Sequence, residues 1–279
     1  SVSWAGFSAA NGRIAEQVRA LVTSVAVEMS ARDRLSRYFS PNLADVLGQG
    51  GGAMRTEARE VTLLFSDIRG FTSMSERKAP QELVSMLNEY FEIMVDIIFE
   101  HDGTLDKFVG DEIMAVWGAP VHQSDHAHRA VRAALDMMKA LQDFNRFRVA
   151  NGEDAIHVGC GINTGEVVAG YMGSNRTLSY TVIGDTVNTA ARLCSAAGAG
   201  EIIVTDPILH ALPGRLQVEE RPSANLKDKA RPVPLYRVGP DGVREAIAVE
   251  IANPTSMALG PDGSIYVSSR YEGQVYRLT

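Results

Sequence analysis

Residues 61–68 read VTLLFSDI, a near-continuous apolar run of the kind that fills the centre of a sheet covered on both faces. Pro80 then opens a helical pattern in which Leu83, Leu87, Tyr90, Phe91, Met94 and Ile97 share one face, and His101-Asp-Gly103 ends it. The stretch DKFVGDEIMAVWG (106–118) predicts a tight hairpin, with Phe108 and Val109 on one strand and Ile113 to Trp117 on the other. A second helix follows, capped by Ser124 or Asp125, with Val131, Leu135, Met138 and Leu141 facing inward. IHVGCGINTGEVVAG (156–170) predicts a hairpin turning at Asn163-Thr-Gly165. After it come a strand at SYTVI (179–183), a helix at DTVNTAARLCSAA, and strands at EIIVTD (201–206) and PLYRV (234–238). The order β-α-β-β-α-β predicts an α+β fold, a ferredoxin-like core with added strands. That fold hosts many functions, so the chemistry has to be found in its site.

Two flanking regions differ in kind. Residues 12–38 carry Ile14, Val18, Leu21, Val25 and Met29 on one helical seam, which suits a short coiled coil or a helix packed on its own domain. SRYFSPNLADVL (36–47) predicts a short element with Pro41 at a helix start, and GQGGGA (48–53) a flexible break. From residue 239 onward, Gly-Pro-Asp-Gly occurs twice, at 239–242 and 260–263, and the alternating stretches SIYVSS and QVYRLT surround the second copy. This segment resembles one blade of an NHL-type β-propeller, and a propeller takes about 4–8 blades.

Composition narrows the partners. With 279 residues and 45% apolar content the chain can bury one sizeable core and a smaller unit. A net charge of −7 argues against non-specific nucleic-acid binding, so an anionic substrate must be met by local cations or by metal. Two cysteines, Cys160 and Cys194, are too few for a disulfide framework and fit a reducing, cytoplasmic setting. No apolar run approaches the roughly 20 residues of a membrane helix, so direct membrane insertion is not expected. The chain starts at Ser1 rather than Met, which suggests a piece of a longer polypeptide.

The candidate chemistry lies in two aspartates. Asp67 ends the strand VTLLFSDI and Asp111 sits at the hairpin tip; adjacent strands would bring both to one edge. Each alone would be an ordinary solvated turn residue. Together they repel unless a cation lies between them, and oxygen-only ligation suits Mg²⁺ or Mn²⁺. Backbone amides from Gly70 through Phe71 and Thr72 to Ser73 can hold polyphosphate oxygens. His122, Asp125, His126 and His128 invite a zinc reading, but their spacing fixes no fourth ligand, and capping and surface polarity account for them.

SDIRGFT (66–72), KFVGDE (107–112) and YTVIGDTVNTAARL (180–193) together resemble the catalytic domain of the class III adenylyl and guanylyl cyclases, over about residues 36–238. The resemblance implies a two-metal displacement, with Asp67, Asp111 and the Ile68 carbonyl holding two Mg²⁺ or Mn²⁺ ions per active site. It implies that Lys107 and Thr181 read the base, that Asn188 orients the ribose, and that Arg192 stabilises charge on the α-phosphate. Lys229 would contact the terminal phosphates, although Asp228 replaces the family's usual Gly there. Lys107 can donate to adenine N1, whereas guanine presents an N–H at that position. The function so implied is adenylate cyclase, ATP to 3′,5′-cyclic AMP and pyrophosphate, in a homodimer with shared sites and with a sensor domain upstream in the full-length chain. Guanylate cyclase and a nucleotide-binding regulatory pseudoenzyme are the alternatives, and an interaction protein built on the terminal blade is a third. The implied organisation is an N-terminal signalling helix and linker (1–53), a catalytic domain (54–238) and a single blade (239–279).

Overall fold

Strand β1 (Glu57–Ile68) is the axis of the main sheet, flanked by antiparallel β3 (Glu112–Trp117) and antiparallel β4 (Val158–Ser174). The computed structural model describes residues 56–174, 177–212, 216–224, 233–243, 254–259, 265–269 and 274–278. The readings of residues 12–38, 36–47 and 48–53, and of Lys229, lie outside them. β1 reads as continuously apolar because both its faces are covered. Leu64 and Ile68 enter one buried cluster with Tyr90, Met94 and Ile98, while Val61, Leu63 and Phe65 enter another with Val182, Ala190 and Cys194. Both cysteines are free and buried.

Two helices cover the first face: α2 (Pro80–Glu100) and α3 (His126–Ala150), with the short α1 (Phe71–Ser75) between β1 and α2. Pro80 sits in the first turn of α2, where its missing N–H costs nothing, and Ala79 before it is extended. α2 ends at His101, and Gly103 then passes so close to the core that a Cβ there would lie 2.6 Å from Trp117. Trp117 is fully buried, donating from Nε1 to the His101 carbonyl at 2.9 Å. Asp125 caps α3 without a side-chain bond to its backbone and instead accepts from Arg129 at 2.8 Å.

The opposite face is covered by α4 (Asp185–Ala196), which lies directly on β4 at Gly161: a Cβ there would fall 2.1 Å from the Cys194 backbone nitrogen and 2.5 Å from the Ala190 carbonyl. No other residue type permits that approach. The sheet runs β2-β3-β1-β4-β6-β8-β7, with β5 (Thr177–Ile183) pairing the far half of β4. β2 is Thr104–Val109, β6 Ile202–Val204, β7 Leu216–Ala224 and β8 Val233–Val243; α5 (Asp206–Ala211) follows β6. The β1-α2-β2-β3-α3-β4 order realises the ferredoxin-like core, and β5 to β8 are the additions.

One expectation fails. Asn163-Thr-Gly165 is no turn; β4 runs straight through it and pairs with β1 from Ile68↔Val158 to Glu57↔Ala169. Its polar side chains serve the interior instead. Thr205 donates to Asn163 Oδ1 at 2.6 Å, and Thr164 donates to the Val61 carbonyl at 2.9 Å. Pairing and buried hydrogen bonds override the local turn signal.

Chain contacts divide the protein after Arg244. The second unit holds a three-stranded antiparallel sheet, β9 (Pro254–Leu259), β10 (Ile265–Ser269) and β11 (Gln274–Leu278), in the order β11-β10-β9. Among the described residues no helix is long and apolar enough to cross a membrane.

Candidate active site

The β1–β3 register, ending at Ser66↔Ile113, sets the end of β1 beside the tip of the β2–β3 hairpin. That tip turns at Gly110, whose φ of +66° favours glycine, between the paired Val109 and Glu112. Asp111 is thereby held against β1, and the Ile68 N–H donates to its Oδ2 at 3.1 Å. Burial, a hydrogen bond shared with Asp67 and the Asp67 charge raise the Asp111 carboxyl to about 6. Glu112 is likewise raised to about 6 by burial and by the charges of Asp67 and Asp111, against Arg69. Among the described residues, Arg69 pairs with Asp67, its Nη2 donating to Asp67 Oδ2 at 2.8 Å.

This donor set fits a divalent metal. Two carboxylates are close enough to share a hydrogen bond, and that proximity opposes the ionisation of Asp111, a strain a dication would relieve. Asp67, Asp111 and the Ile68 carbonyl offer oxygen donors, which suit Mg²⁺ or Mn²⁺ rather than a thiophilic ion. Asp67, Asp111 and the Ile68 carbonyl would hold it.

A second constellation forms where β2 meets β5. The β2–β3 pairing shifts between Leu105 and Lys107, so Asp106 is an extra residue in the ladder. Such a bulge re-aims its neighbours. The Asp106 side chain turns inward, to 3% exposure, while Lys107 remains half in solvent. β5 brings Thr181, paired with Gly170 of β4, to the same place. Thr181 Oγ1 donates to Asp106 Oδ2 at 3.1 Å, and Lys107 Nζ donates to Thr181 Oγ1 at 3.2 Å. Lys107 Nζ also lies 3.1 Å from Asp106 Oδ2. Burial pushes the Asp106 carboxyl up, opposed by the Thr181 bond and the Lys107 charge. Lys107 and Thr181, far apart in sequence, are thus brought together.

Asn188 and Arg192 lie one turn apart on α4, Asn188 exposed and Arg192 half-buried. The same helix reaches the carboxylates through Cys194, whose Sγ donates to the Gly159 carbonyl at 3.3 Å and receives Arg69 Nη2 at 3.6 Å. Gly70, at φ +74°, caps α1 with open space around it, and Phe71 and Thr72 begin the helix. Sequence reasoning missed Asp106 and Arg69. Arg69 was visible as a cation two residues from Asp67; Asp106 becomes visible only when β5 closes over it.

His126, one of the residues that invited a zinc reading, is a core residue. Thr164 gives its proton to the Val61 carbonyl, so Thr62 Oγ1 must donate to Thr164 at 2.7 Å. His126 Nδ1, 2.7 Å from Thr62 Oγ1, must then carry a proton and donate it. Burial lowers the His126 pKa, with Glu60 opposing.

Residues 54–238 match the family described as the adenylate and guanylate cyclase catalytic domain. The chain is 44% identical over 135 residues to adenylate cyclase 1 of Rhizobium meliloti, a match covering 48% of this chain and 20% of that protein. It is 34% identical over 251 residues to an adenylate cyclase of Anabaena cylindrica, covering 80% of this chain and 48% of that one. The chain therefore spans less than half the length of these relatives. Among solved structures, the guanylyl cyclase Cya2 superposes with a TM-score of 0.66 at 40% identity, over 71% of this chain and all of that one. The adenylyl cyclase CyaB from P. aeruginosa gives 0.64 at 34% identity, over 66% of this chain and 96% of that one. With more than half of its length matched by the family, and a fold shared with these structures, the protein belongs to the adenylate and guanylate cyclase catalytic domain family.

Proposed function

We propose that the protein is an adenylate cyclase, forming 3′,5′-cyclic AMP and pyrophosphate from ATP. The observation that carries the choice of base is the Lys107–Thr181 pair at 3.2 Å. Lys107 presents only donors, which suit adenine N1 and oppose the N–H of guanine, and Thr181 can accept from the 6-amino group. A mismatched donor or acceptor costs about 1–3 kcal/mol in a buried pocket, so two such mismatches give strong discrimination. The similarity to both an adenylyl and a guanylyl cyclase leaves the base to these side chains. Guanylate cyclase is the second reading, and Lys107 opposes it.

Mg²⁺ or Mn²⁺, when bound, supplies Lewis acidity toward the ribose 3′-oxygen and the triphosphate. The remaining work falls to this chain. Asn188 orients the ribose so that the 3′-oxygen faces the α-phosphorus, and Arg192 stabilises the charge gathering on the α-phosphate with a guanidinium that stays ionised. The 3′-oxygen–phosphorus bond forms, the bond to the β-phosphate oxygen breaks, pyrophosphate leaves with the electron pair, and the 3′-hydroxyl proton goes to solvent. The amides of Gly70, Phe71 and Thr72, with Lys229, hold the departing phosphates.

The working unit in this proposal is a homodimer. Phe108 and Val109 on β2, Val168 on β4, and Leu178 and Ile183 on β5 are exposed apolar side chains that a second copy would cover. Asp67 and Asp111 of one protomer would then act on the ATP whose base is read by Lys107 and Thr181 of its partner. The domain limits 1–53, 54–238 and 239–279, an upstream sensor and a cytoplasmic setting belong to the same proposal. Turnover of ATP and GTP with Mg²⁺ and with Mn²⁺ tests it: ATP should be cyclised with the higher kcat/KM under both metals. A preference for GTP, or binding of ATP without turnover, would replace it with one of the alternatives.

A further inference from the structure

A threonine is an ambiguous reader of a base. Its hydroxyl carries one proton and two acceptor lone pairs, so it can accept from the 6-amino group of adenine or donate to the 6-carbonyl of guanine. In this protein the ambiguity is removed by a neighbour. Thr181 Oγ1 gives its proton to Asp106 Oδ2 at 3.1 Å. Asp106 Oδ2 also lies 3.1 Å from the Lys107 ammonium, whose charge opposes burial and favours the ionised carboxylate, which only accepts. Its side chain is 3% exposed, so water does not compete for that bond. The arrangement depends on the bulge at Leu105/Lys107, which leaves Asp106 outside the regular ladder and lets consecutive residues serve one site.

We propose that Asp106 is a positioning residue that fixes the choice of ATP over GTP by holding the Thr181 proton, leaving only lone pairs to face the base. Adenine's amino group then meets an acceptor. Guanine's carbonyl meets one too, and two acceptors repel. Asp106 touches no part of the nucleotide; it acts through Thr181. It also anchors Lys107 until adenine N1 takes the ammonium. The inference rests on the assignment of Lys107 and Thr181 as the base-reading pair, and the test separates the two.

The kcat/KM for ATP, GTP and ITP is measured in the wild type, Asp106→Ala, Asp106→Leu, Thr181→Val and the Asp106→Ala/Thr181→Val double variant, with thermal melts showing that each is folded. Alanine and leucine both remove the acceptor, and leucine also fills its space. The ATP/GTP ratio should fall about tenfold in either Asp106 variant, as a freed hydroxyl turns to donate. ITP, which shares guanine's N1–H and 6-carbonyl but lacks the 2-amino group, should gain in step with GTP. A purely structural defect would lower all three nucleotides together. In the Thr181→Val background, where no proton remains to be held, the Asp106 substitution should leave the ratio within twofold. If Thr181→Val lowers the ratio and the folded Asp106 variants do not, the inference is wrong while the base-reading pair stands. If the Asp106 effect is equal in both backgrounds, Asp106 does not act through Thr181 and the inference is again overturned. If Thr181→Val itself leaves the ratio unchanged, the base-reading assignment fails and the inference with it.

Discussion

Gly161→Ala tests how the sheet positions the helix that carries Asn188 and Arg192. The added Cβ would stand 2.1 Å from the Cys194 nitrogen, 2.5 Å from the Ala190 carbonyl oxygen and 2.7 Å from the Leu193 carbonyl carbon. All three are backbone atoms, so no rotamer change relieves the clash. Restoring ordinary contact requires α4 to move off β4 by about 1 Å, which breaks part of the packing of Ala190 and Cys194 on Val61, Leu63 and Phe65. Overpacking of this kind costs about 1–3 kcal/mol, and backbone opposition on three atoms puts the expected loss at the upper end. A misplacement of about 1 Å in groups that orient a reaction costs about 10²-fold in rate. The assay is urea denaturation with kcat at saturating ATP, corrected for folded fraction. Met137→Ala is the comparison: it opens a cavity in the opposite cluster at about 2–5 kcal/mol and should leave kcat of the folded molecules near wild type. A Gly161→Ala protein with full stability and full kcat would refute the reasoning. So would a loss of kcat in Met137→Ala equal to that in Gly161→Ala.

Asp67→Ala and Asp111→Ala should each fold and lose all but a few per cent of turnover at saturating metal; greater retention would remove them from the metal site. Lys107→Glu combined with Thr181→Cys should move the ATP/GTP ratio toward GTP, and an unchanged ratio would show that they do not read the base. His126 makes a stability prediction. Burial lowers its folded pKa below the usual 6.5, so its contribution is complete above about 6.5. It is then lost as pH falls, by up to about 1.4 kcal/mol per pH unit, because only the unfolded chain takes the proton. His126→Gln should remove that slope in urea midpoints measured in EDTA from pH 7 to 5. The difference between the two curves isolates it, since Asp111 and Glu112, raised to about 6, gain stability over part of the same range. Parallel curves would place His126 outside the buried hydrogen-bond chain.

The sequence exposes most of the scaffold because local pattern and tertiary role agree there. VTLLFSDI is apolar on both faces and is buried on both; Pro80 starts a helix; the Gly110 turn closes a hairpin. Agreement breaks where a residue's partners arrive from far along the chain. Asn163-Thr-Gly165 has turn chemistry, yet β1 pairing and the bonds to Thr205 and Val61 hold it extended. Asp106 looks like one more hairpin carboxylate until Thr181 reaches it across 75 positions. Lys107 and Asp111, close in sequence at one hairpin, divide their partners: Lys107 joins Asp106 and Thr181, and Asp111 joins Asp67 and Ile68.

That division is what a shared site requires, and complementation tests it directly. Asp111→Ala and Arg192→Ala proteins should each be inactive alone. In a heterodimer of the two, one composite site carries both defects and the other carries neither, so mixing or co-expression should restore up to about half of wild-type activity per heterodimer. Heterodimers that form, as shown by differently tagged subunits purifying together, and yet cyclise no ATP would place both groups in the same site and contradict the account.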